Sequence, residues 1–214
     1  MTRLRQWRNI ARSQRLLIAS LLIAVIAANI AQPYPQLAPL QHAPTAALIL
    51  GAPWLLERWP LSTRSVVFLW LFLLLHTLGG RYIYSNVPYD GWVASITGRT
   101  LSDMFGMARN GYDRLVHFMF GLLITSVLVE IARRHGGLAR RSSWIMAFAL
   151  IGLVSALYEI FEWLLTVIAA GNTADYYNGQ QGDIWDPQKD MALAQLGSFA
   201  ALSAGAIIRS KAAH

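Results

Sequence analysis

The sequence predicts an all-α, polytopic membrane protein: a bundle of six transmembrane helices with the N- and C-termini in the cytoplasm. Of its 214 residues, 55% are hydrophobic and only 14% are charged, whereas about 25% of the residues in an average soluble domain are charged. Six stretches approach the ~20 apolar residues that a helix needs to cross a bilayer. The basic residues gather in alternate loops between these stretches, which is typical of a multi-pass membrane protein.

The six predicted spans differ in character. The second begins with His42 and is interrupted by Pro44 and Pro53, and the fifth is long and carries two glutamates. Their bounds are roughly 16–31, 42–57, 63–79, 114–132, 143–169 and 188–208. We therefore predict a basic cytoplasmic N-terminus (1–15), a single six-helix transmembrane domain (16–208) with an outer loop at 80–112, and a cytoplasmic tail (209–214).

Lysine and arginine determine the orientation, because loops rich in these residues stay in the cytoplasm. Thirteen of the eighteen basic residues lie before span one, between spans two and three, between spans four and five, or after span six. Six spans with both termini inside satisfy this pattern. The net charge of +7 is thereby explained by topology, and we expect no nucleic-acid partner. The absence of cysteine excludes disulfides and thiolate metal sites.

The acidic residues show the opposite bias. Nine of the eleven lie in the outer loops or in the outer halves of spans four, five and six. Ionisable residues within a span cost about 2.5–3.5 kcal/mol each on insertion scales, and they therefore face the bundle interior or a water-filled cavity. We expect a site at this outer, periplasmic face. The nine acids are Asp90, Asp103, Asp113, Glu159, Glu162, Asp175, Asp183, Asp186 and Asp190.

Spans three, four and five each bring chemically active side chains towards that face. Asp113 and His117 share one helical face. The aspartate either interacts favourably with the helix dipole at the start of the helix or orients a ligating imidazole. Glu159 and Glu162 also share a face, and at their depth they form a structural network or need a cation or a proton. His76, near the end of span three, is an interface residue or a further ligand. A cluster of oxygen and imidazole donors suits Zn, Mn or Fe.

The stretch GDIWDPQKDMALAQLG, residues 182–197, brings three more acids to the start of span six. Asp186 precedes Pro187 and fits a helix N-cap. Asp183, Asp186 and Asp190 fall on one stripe, which we expect to face the neighbouring helices. Farther along, small residues favour close helix packing; they are Ala194, Gly197, Ala201 and Ala204 or Gly205.

These patterns define a predicted site for a divalent metal ion and an anionic substrate. Arg81 and Arg114 are candidates for holding the substrate at the rim, together with Tyr82 and Tyr84, whose rings also fit an aromatic belt. The candidate catalytic groups are Asp183, Asp190 and Glu162. The candidate metal ligands are His76, Asp113, His117, Glu159, Glu162, Asp183, Asp186 and Asp190.

The outer loop, about residues 80–112, is long enough for a short amphipathic helix that lies on the membrane or covers the site. Ser102, before Asp103, is interpreted as a helix cap. Gly79 and Gly80 are expected to stop the third helix and to allow a close backbone approach.

Several motifs together resemble a known family. They are Asp113-Arg-x-x-His117-Phe, Tyr158-Glu-x-x-Glu162-Trp, Gln181-Gly-Asp-Ile-Trp-Asp-x-Gln-x-Asp-Met191, and His76 followed by Gly80-x-Tyr-x-Tyr84. Over roughly residues 60–205 the chain resembles the YjdF-like family of bacterial inner-membrane proteins, which implies a multi-pass protein without an established activity. More distantly it resembles the VanZ group, associated with glycopeptide and lipopeptide resistance, although Ala194 stands where that group usually has an asparagine.

Three functions fit these observations. A metal-dependent envelope hydrolase or transferase would act on a lipid-linked or other amphipathic substrate, whose phosphoryl or acyl oxygen the metal would polarise. A cation or proton transporter would use the buried carboxylates as a path, but only Glu130 lies in the inner half of the spans and no inverted repeat is visible. A non-catalytic envelope factor would use the cluster for helix packing or for binding a lipid headgroup. Membrane lipids are expected partners in each case, and the oligomeric state stays open.

Overall fold

The computed structural model describes Trp7, residues 9–168 and residues 181–212, and within these ranges every regular element is helical. The predicted all-α class is confirmed. Asp175 and the last residue of the fifth predicted span lie outside the described residues. The helices are α1 (Arg12–Asn29), α2 (Ala38–Arg58), α3 (Thr63–Arg81), α4 (Tyr89–Thr97), α5 (Leu101–Phe105), α6 (Tyr112–Arg134), α7 (Arg140–Ile168) and α8 (Asp186–Ala212).

Five of the described helices are long and apolar enough to cross a membrane: α1, α3, α6, α7 and the Asp186–Ile208 part of α8. The second predicted span is also helical. Its prolines, Pro44 and Pro53, lie inside the 21 residues of α2 without ending it, although each removes a backbone donor from the helix. Length and composition thus support five of the six predicted spans.

Helices α1, α2 and α3 pack side by side, and α2 runs opposite to the other two. Near the start of α2, the His42 ring donates through Nε2 to the Thr77 carbonyl close to the end of α3, over 3.2 Å. At the other end of the bundle, the Gln14 amide of α1 donates to the carbonyl of Leu61, in the α2–α3 connection, over 2.9 Å. Helix α2 therefore extends along the full height of this group.

Helix α3 continues through its glycine pair to Arg81, so the predicted stop at Gly79 and Gly80 is wrong. The predicted close approach is confirmed. A Cβ on Gly79 would lie 2.7 Å from the Tyr84 ring, and one on Gly80 would lie 2.8 Å from His42 Nε2. Only glycine lets α2 and the turn after α3 come this close.

Helices α6 and α8 run parallel, and their backbones touch. A Cβ on Gly121 would overlap the carbonyl oxygen of Ala194, and a Cβ on Gly197 would overlap that of Phe118. Such contacts allow many dispersion interactions along both helices, which is how small residues stabilise helix pairs in lipid. The predicted packing role of Ala194 and Gly197 is confirmed.

A polar contact lies next to this pair of glycines. The hydroxyl oxygens of Thr125 and Ser198, both fully buried, lie 2.7 Å apart. Beyond this point the small residues of α8 face open space and line a cavity. They are Ala201, Ala204 and Gly205.

The outer loop forms the two short helices α4 and α5. The Asp90 carboxylate of α4 joins them, accepting bonds from the backbone N–H of Ser102 at 2.9 Å and from its hydroxyl at 2.5 Å. Thr100 caps α5 by accepting from the backbone N–H of Asp103, so the prediction that Ser102 is the cap is wrong. The loop exposes large apolar side chains, as expected of a helix on a membrane surface; they include Trp92, Ile96 and Phe105.

Gly121→Ala is expected to destabilise the protein by about 1–3 kcal/mol, the usual range for overpacking, because the added methyl group would overlap the α8 backbone. Thermal unfolding in detergent, followed by size-exclusion chromatography, measures the effect. Gly51→Ala in α2 is the matched control, since its Cβ would meet only Leu55 Cδ1 at 3.7 Å. An unchanged melting temperature for Gly121→Ala would contradict the α6–α8 contact.

Candidate functional site

The acidic ends of α6, α7 and α8 meet in one group of side chains. Asp113 and His117 lie on α6, Glu159 on α7 and Asp190 on α8. His117 Nε2 lies 3.6 Å from Asp113 Oδ1 and 3.7 Å from Glu159 Oε1. One potential ligand atom each from Asp113, His117 and Asp190 lies within 4.8 Å of the other two. These four residues are termed the inner cluster.

The inner cluster is buried, with between 2% and 9% of each residue exposed. Two of its oxygens, Glu159 Oε1 and Asp190 Oδ1, have no hydrogen-bond partner among the described residues. A buried polar atom without a partner is costly, and a proton, a water molecule or a cation would stabilise it. The inner cluster therefore has the chemistry to bind a cation or to exchange a proton.

Glu162 lies at the edge of the inner cluster, almost one helical turn after Glu159. It is half-buried, and it forms a hydrogen bond with the Tyr158 side chain of the preceding turn. Its carboxyl group lies close enough to those of Asp113, Glu159 and Asp190 for their charges to repel one another when ionised. The structure thus brings both predicted glutamates of α7 to the same place as the α6 pair.

Asp183 and Asp186 lie in a second group, termed the outer network. Arg109 binds both carboxylate oxygens of Asp186. Arg114 lies 2.5 Å from Asp183 and 3.2 Å from Asp186, and Lys189 lies 2.6 Å from Asp183. The hydrogen bond from Lys189 is the largest of the effects that lower the pKa of Asp183 to about 2. Basic side chains of the same chain thus neutralise both carboxylates.

The outer network changes the interpretation of several predicted residues. Arg114 does face the acidic site, but its guanidinium is bonded to Asp183 and Asp186. Asp186 is the first residue of α8 rather than the cap before it, and its carboxylate is held by Arg109 and Arg114. Arg109 belongs to none of the motifs in the sequence, although it is one of only five basic residues on the acidic side of the chain. The small number of basic residues on this side is the signal by which Arg109 could be identified as a partner of the acids.

Gln181 fixes the segment that leads into the outer network. Its side chain accepts from the backbone N–H of Asn110 at 3.0 Å and donates to the Asn110 carbonyl at 3.1 Å. Asn110 in turn lies directly after Arg109. The start of the GDIWDPQKDM stretch is therefore bound to the chain immediately before α6.

His76 lies beside the inner cluster but does not join it. Its Nε2 donates to the Gln41 carbonyl at 3.0 Å, and its Nδ1 accepts from the Tyr84 hydroxyl. Tyr84 reaches His76 through a tight turn in which Ile83 and Tyr84 have φ angles of 47° and 53°, in the left-handed region that such residues rarely adopt. Both imidazole nitrogens are occupied, so His76 presents no free ligand atom in this arrangement.

Arg81 binds the end of α1. Its guanidinium donates to the carbonyls of Ala28 at 2.7 Å and Ile30 at 2.9 Å, at a helix end whose carbonyls lack partners within the helix. It also lies over the Tyr82 ring, 5.6 Å from the centroid, and that ring packs edge-on against Trp92. These contacts are structural, and substrate binding by Arg81, Tyr82 and Tyr84 stays a prediction.

A cavity of about 250 Å³ adjoins the inner cluster. Asp113, His117 and Tyr158 contribute to its wall, and it extends to His76 and Tyr84. The remaining wall is mainly apolar; it includes Leu73, Val116 and Phe120. The cavity can accommodate a small apolar group with one polar end at the inner cluster.

The long apolar helices, with a buried acidic cluster at one end of the bundle, define a polytopic integral membrane protein. A family model described as "Predicted membrane protein (DUF2238)" matches residues 13–211, and the chain belongs to this family.

A relative within the bacterial envelope strengthens this assignment. The chain is 35% identical to the inner membrane protein YjdF of Escherichia coli (strain K12) over 146 residues, 67% of this chain and 65% of the relative. The match thus spans slightly less than two thirds of the relative's length. The predicted YjdF-like family and the location in the inner membrane are confirmed. No solved structure matches the chain, and the more distant VanZ resemblance stays a prediction.

Asp183→Asn is expected to destabilise the protein near neutral pH and to have less effect in acid. The pKa of Asp183 is about 2 in the folded protein, against an ordinary 3.8. Its ion pairs therefore contribute fully above about pH 5, and the contribution is lost as the pH falls towards about 2. The difference in melting temperature between wild type and variant, measured in detergent, should shrink towards low pH.

Asp103→Asn is the control for this comparison, because Asp103 lies in the outer loop on α5. It should lower the melting temperature less than Asp183→Asn does near neutral pH. A melting-temperature difference for Asp183→Asn that stays constant between about pH 7 and about pH 2.5 would contradict the assignment of its ion pairs.

Proposed function

We propose that this inner-membrane protein binds a divalent metal ion in the inner cluster and uses it in a reaction on a lipid or other amphipathic substrate at the periplasmic face. The observation that carries the proposal is the pair of buried oxygens beside His117, Glu159 Oε1 and Asp190 Oδ1, for which the described residues offer no hydrogen-bond donor. A cation would give both oxygens a partner and would offset the repulsion between the carboxylates.

The donor atoms and their spacing support a metal. Carboxylate and imidazole ligands suit Zn, Mn or Fe. Tetrahedral bonds of about 2.0–2.2 Å place neighbouring ligand atoms roughly 3.3–3.6 Å apart. Asp113 Oδ1 and His117 Nε2 are already 3.6 Å apart. One ligand atom from each of Asp113, His117 and Asp190 lies within 4.8 Å of the other two. Side-chain rotations that move the ligand atoms about 1 Å closer together would complete a three-ligand site. Glu159 lies next to this site.

The other predicted ligands receive supporting roles in this proposal. Asp183 and Asp186 are bound by arginine and lysine side chains, and they fix the start of α8 on α6. Asp190 lies one turn after Asp186, so the outer network also positions Asp190. His76 forms part of the cavity wall.

The metal would lower the pKa of a bound water or polarise a phosphoryl or acyl oxygen. Of the predicted catalytic carboxylates, Glu162 fits a general base best. Asp190 belongs to the ligand set, and Asp183 is held in its charged form by Lys189 and Arg114. The cavity beside the inner cluster would receive an apolar part of the substrate.

A non-catalytic envelope factor is the second candidate. The outer network favours it, because two of the acids are neutralised by the chain itself and need no ligand. In that case the inner cluster would fix helix packing or hold a lipid headgroup.

A cation or proton transporter has less support. Its path would continue into the other half of the bundle, where Glu130 is the predicted acid. The Glu130 carboxylate accepts from the hydroxyls of Ser62 and Ser65, at 2.6 Å each, and it lies 3.4 Å from Arg134. These bonds indicate a structural role for Glu130.

We also propose that the chain crosses the membrane six times with both termini in the cytoplasm. Helix α2 has 21 residues, which span roughly 31 Å at 1.5 Å per residue. Its first and last turns lie at opposite ends of the α1–α3 group. The arginine-rich loops all fall at one of these ends, as expected for cytoplasmic loops.

Single-cysteine labelling tests this topology, because the chain has no cysteine of its own. Gln36→Cys and Ser95→Cys should react with a membrane-impermeant maleimide added to spheroplasts. Arg58→Cys and Ser142→Cys should react only after permeabilisation. Labelling of Gln36→Cys and Arg58→Cys from the same side would exclude α2 as a span.

Element analysis of the purified protein tests the metal site. Protein prepared without chelators, or reloaded with Zn, Mn or Fe, should carry about one metal ion per chain. Asp190→Asn and His117→Gln should each lower the metal content or affinity about tenfold or more, because each removes a ligand.

Glu130→Gln is the matched control, since it removes a carboxylate from the opposite end of α6 and should leave the metal content unchanged. A folded wild-type protein that neither retains nor binds any of these metals would refute the proposed site. Equal metal content in Asp190→Asn, His117→Gln and wild type would place the metal elsewhere.

A further inference from the structure

A second, larger cavity, of about 900 Å³, lies at the end of the bundle opposite the inner cluster. It is bordered by α3, α6, α7 and α8, where the small residues Ala201 and Gly205 of α8 leave space beside α6. Its volume falls in the range typical of ligand sites, about 300–1,000 Å³. Much of the wall is apolar; it includes Phe68, Leu122, Trp144 and Ile208.

The rim of this cavity carries excess positive charge. Its charged residues are Arg64, Glu130, Arg133 and Arg134. The one acid, Glu130, accepts hydrogen bonds from two serine hydroxyls and lies 3.4 Å from Arg134. The Glu130 charge is therefore already matched within the protein, and the other two arginines determine the electrostatics of the opening.

Arg64 and Arg133 differ from Arg134 in this respect. Neither forms an ion pair within residues 9–168 and 181–212. Both are exposed, and the Arg64 guanidinium lies over the Phe68 ring, 5.2 Å from its centroid. This stacking directs the Arg64 side chain along the cavity wall and leaves its donors available to an anion.

We infer that this cavity binds one anionic phospholipid, with the phosphate between Arg64 and Arg133 and an acyl chain along the apolar wall. Guanidinium groups bind phosphate oxygens through paired, charge-assisted hydrogen bonds. Basic pockets between membrane helices recognise anionic headgroups in this way. The site is separate from the inner cluster, and it does not depend on the metal proposal.

Charge and shape together favour a lipid over a free anion. Inorganic phosphate would use the two arginines but would leave the apolar part of the cavity unfilled. A zwitterionic lipid would fill the apolar wall, but its ammonium group would offset the attraction between its phosphate and the arginines. An anionic phospholipid satisfies both parts of the cavity.

Native mass spectrometry of the full-length protein in neutral detergent tests this inference. Titration with phosphatidylglycerol should give one retained lipid per chain. Phosphatidylcholine should bind at least about tenfold more weakly, and inorganic phosphate should give no retained adduct. Equal retention of the two lipids, or saturable binding of inorganic phosphate alone, would overturn the inference.

The double variant Arg64→Gln/Arg133→Gln should bind phosphatidylglycerol about thirtyfold more weakly. Each basic residue near a membrane surface contributes about 1 kcal/mol to the attraction of anionic lipid, and every 1.4 kcal/mol is tenfold in affinity. Both side chains are exposed, so the variant is expected to fold. Binding at the wild-type level would rule out the two arginines as the phosphate site.

Arg58→Gln/Arg141→Gln is the matched control. It removes the same charge from the same end of the bundle, at residues outside the cavity lining, and it should bind phosphatidylglycerol as the wild type does. An equal loss of binding in this control would show that general surface charge, rather than the two arginines of the cavity, attracts the lipid, and it would overturn the inference.

Ala201→Phe keeps all charges and fills the cavity, so it should also weaken binding of phosphatidylglycerol. Unchanged binding in a folded Ala201→Phe protein would contradict the position of the acyl chain.

Discussion

The backbones of α6 and α8 touch at Gly121 and Gly197, and the positions of the acidic side chains depend on this contact. The two helices run parallel, so residues at similar distances before the contact lie opposite one another. Asp113 precedes Gly121 by eight residues and Asp190 precedes Gly197 by seven, about 11–12 Å along each helix. The small residues therefore set the register that places Asp190 beside Asp113, and larger side chains would separate the donors of the inner cluster.

At the acidic end of the bundle, the negative charges of the outer network and of the inner cluster are compensated differently. In the outer network, Asp183 and Asp186 meet arginine and lysine side chains near the loops. In the inner cluster, Glu159 and Asp190 keep oxygens without hydrogen-bond partners in the described part of the chain. Because ionised groups away from water need a partner, the carboxylates of the outer network are matched within the chain, whereas those two oxygens of the inner cluster are not matched by the described residues. The outer network thus holds the start of α8 on the start of α6, next to a cluster whose donor atoms have the chemistry to bind a cation or a proton.

The sequence predicted the features that follow from helical periodicity and failed where contacts between segments decide. Asp113 and His117 share a face because four residues make about one turn, and the structure places them together. Asp190 belongs to the same predicted ligand set, and the structure places it with them; the distance between them depends on the register of α6 on α8, which residue spacing within one helix does not contain. The sequence does not predict that Arg81 binds the end of α1, or that Tyr84 reaches His76 through two left-handed residues. Loop conformation and carbonyl groups without partners decide these two contacts, and neither leaves a periodic pattern in the sequence. Substrate binding by the two residues stays a prediction.

The bond from Arg81 to the end of α1 also has a consequence for biogenesis. Arg81 lies 53 residues after Ala28, whose carbonyl it binds, so α1 leaves the ribosome well before its partner. Until α3 is made, the last carbonyls of α1 need water or lipid headgroups as donors, because none is available in the hydrocarbon core. We therefore expect the end of α1 to stay at the membrane surface until α3 has inserted and Arg81 can bind it.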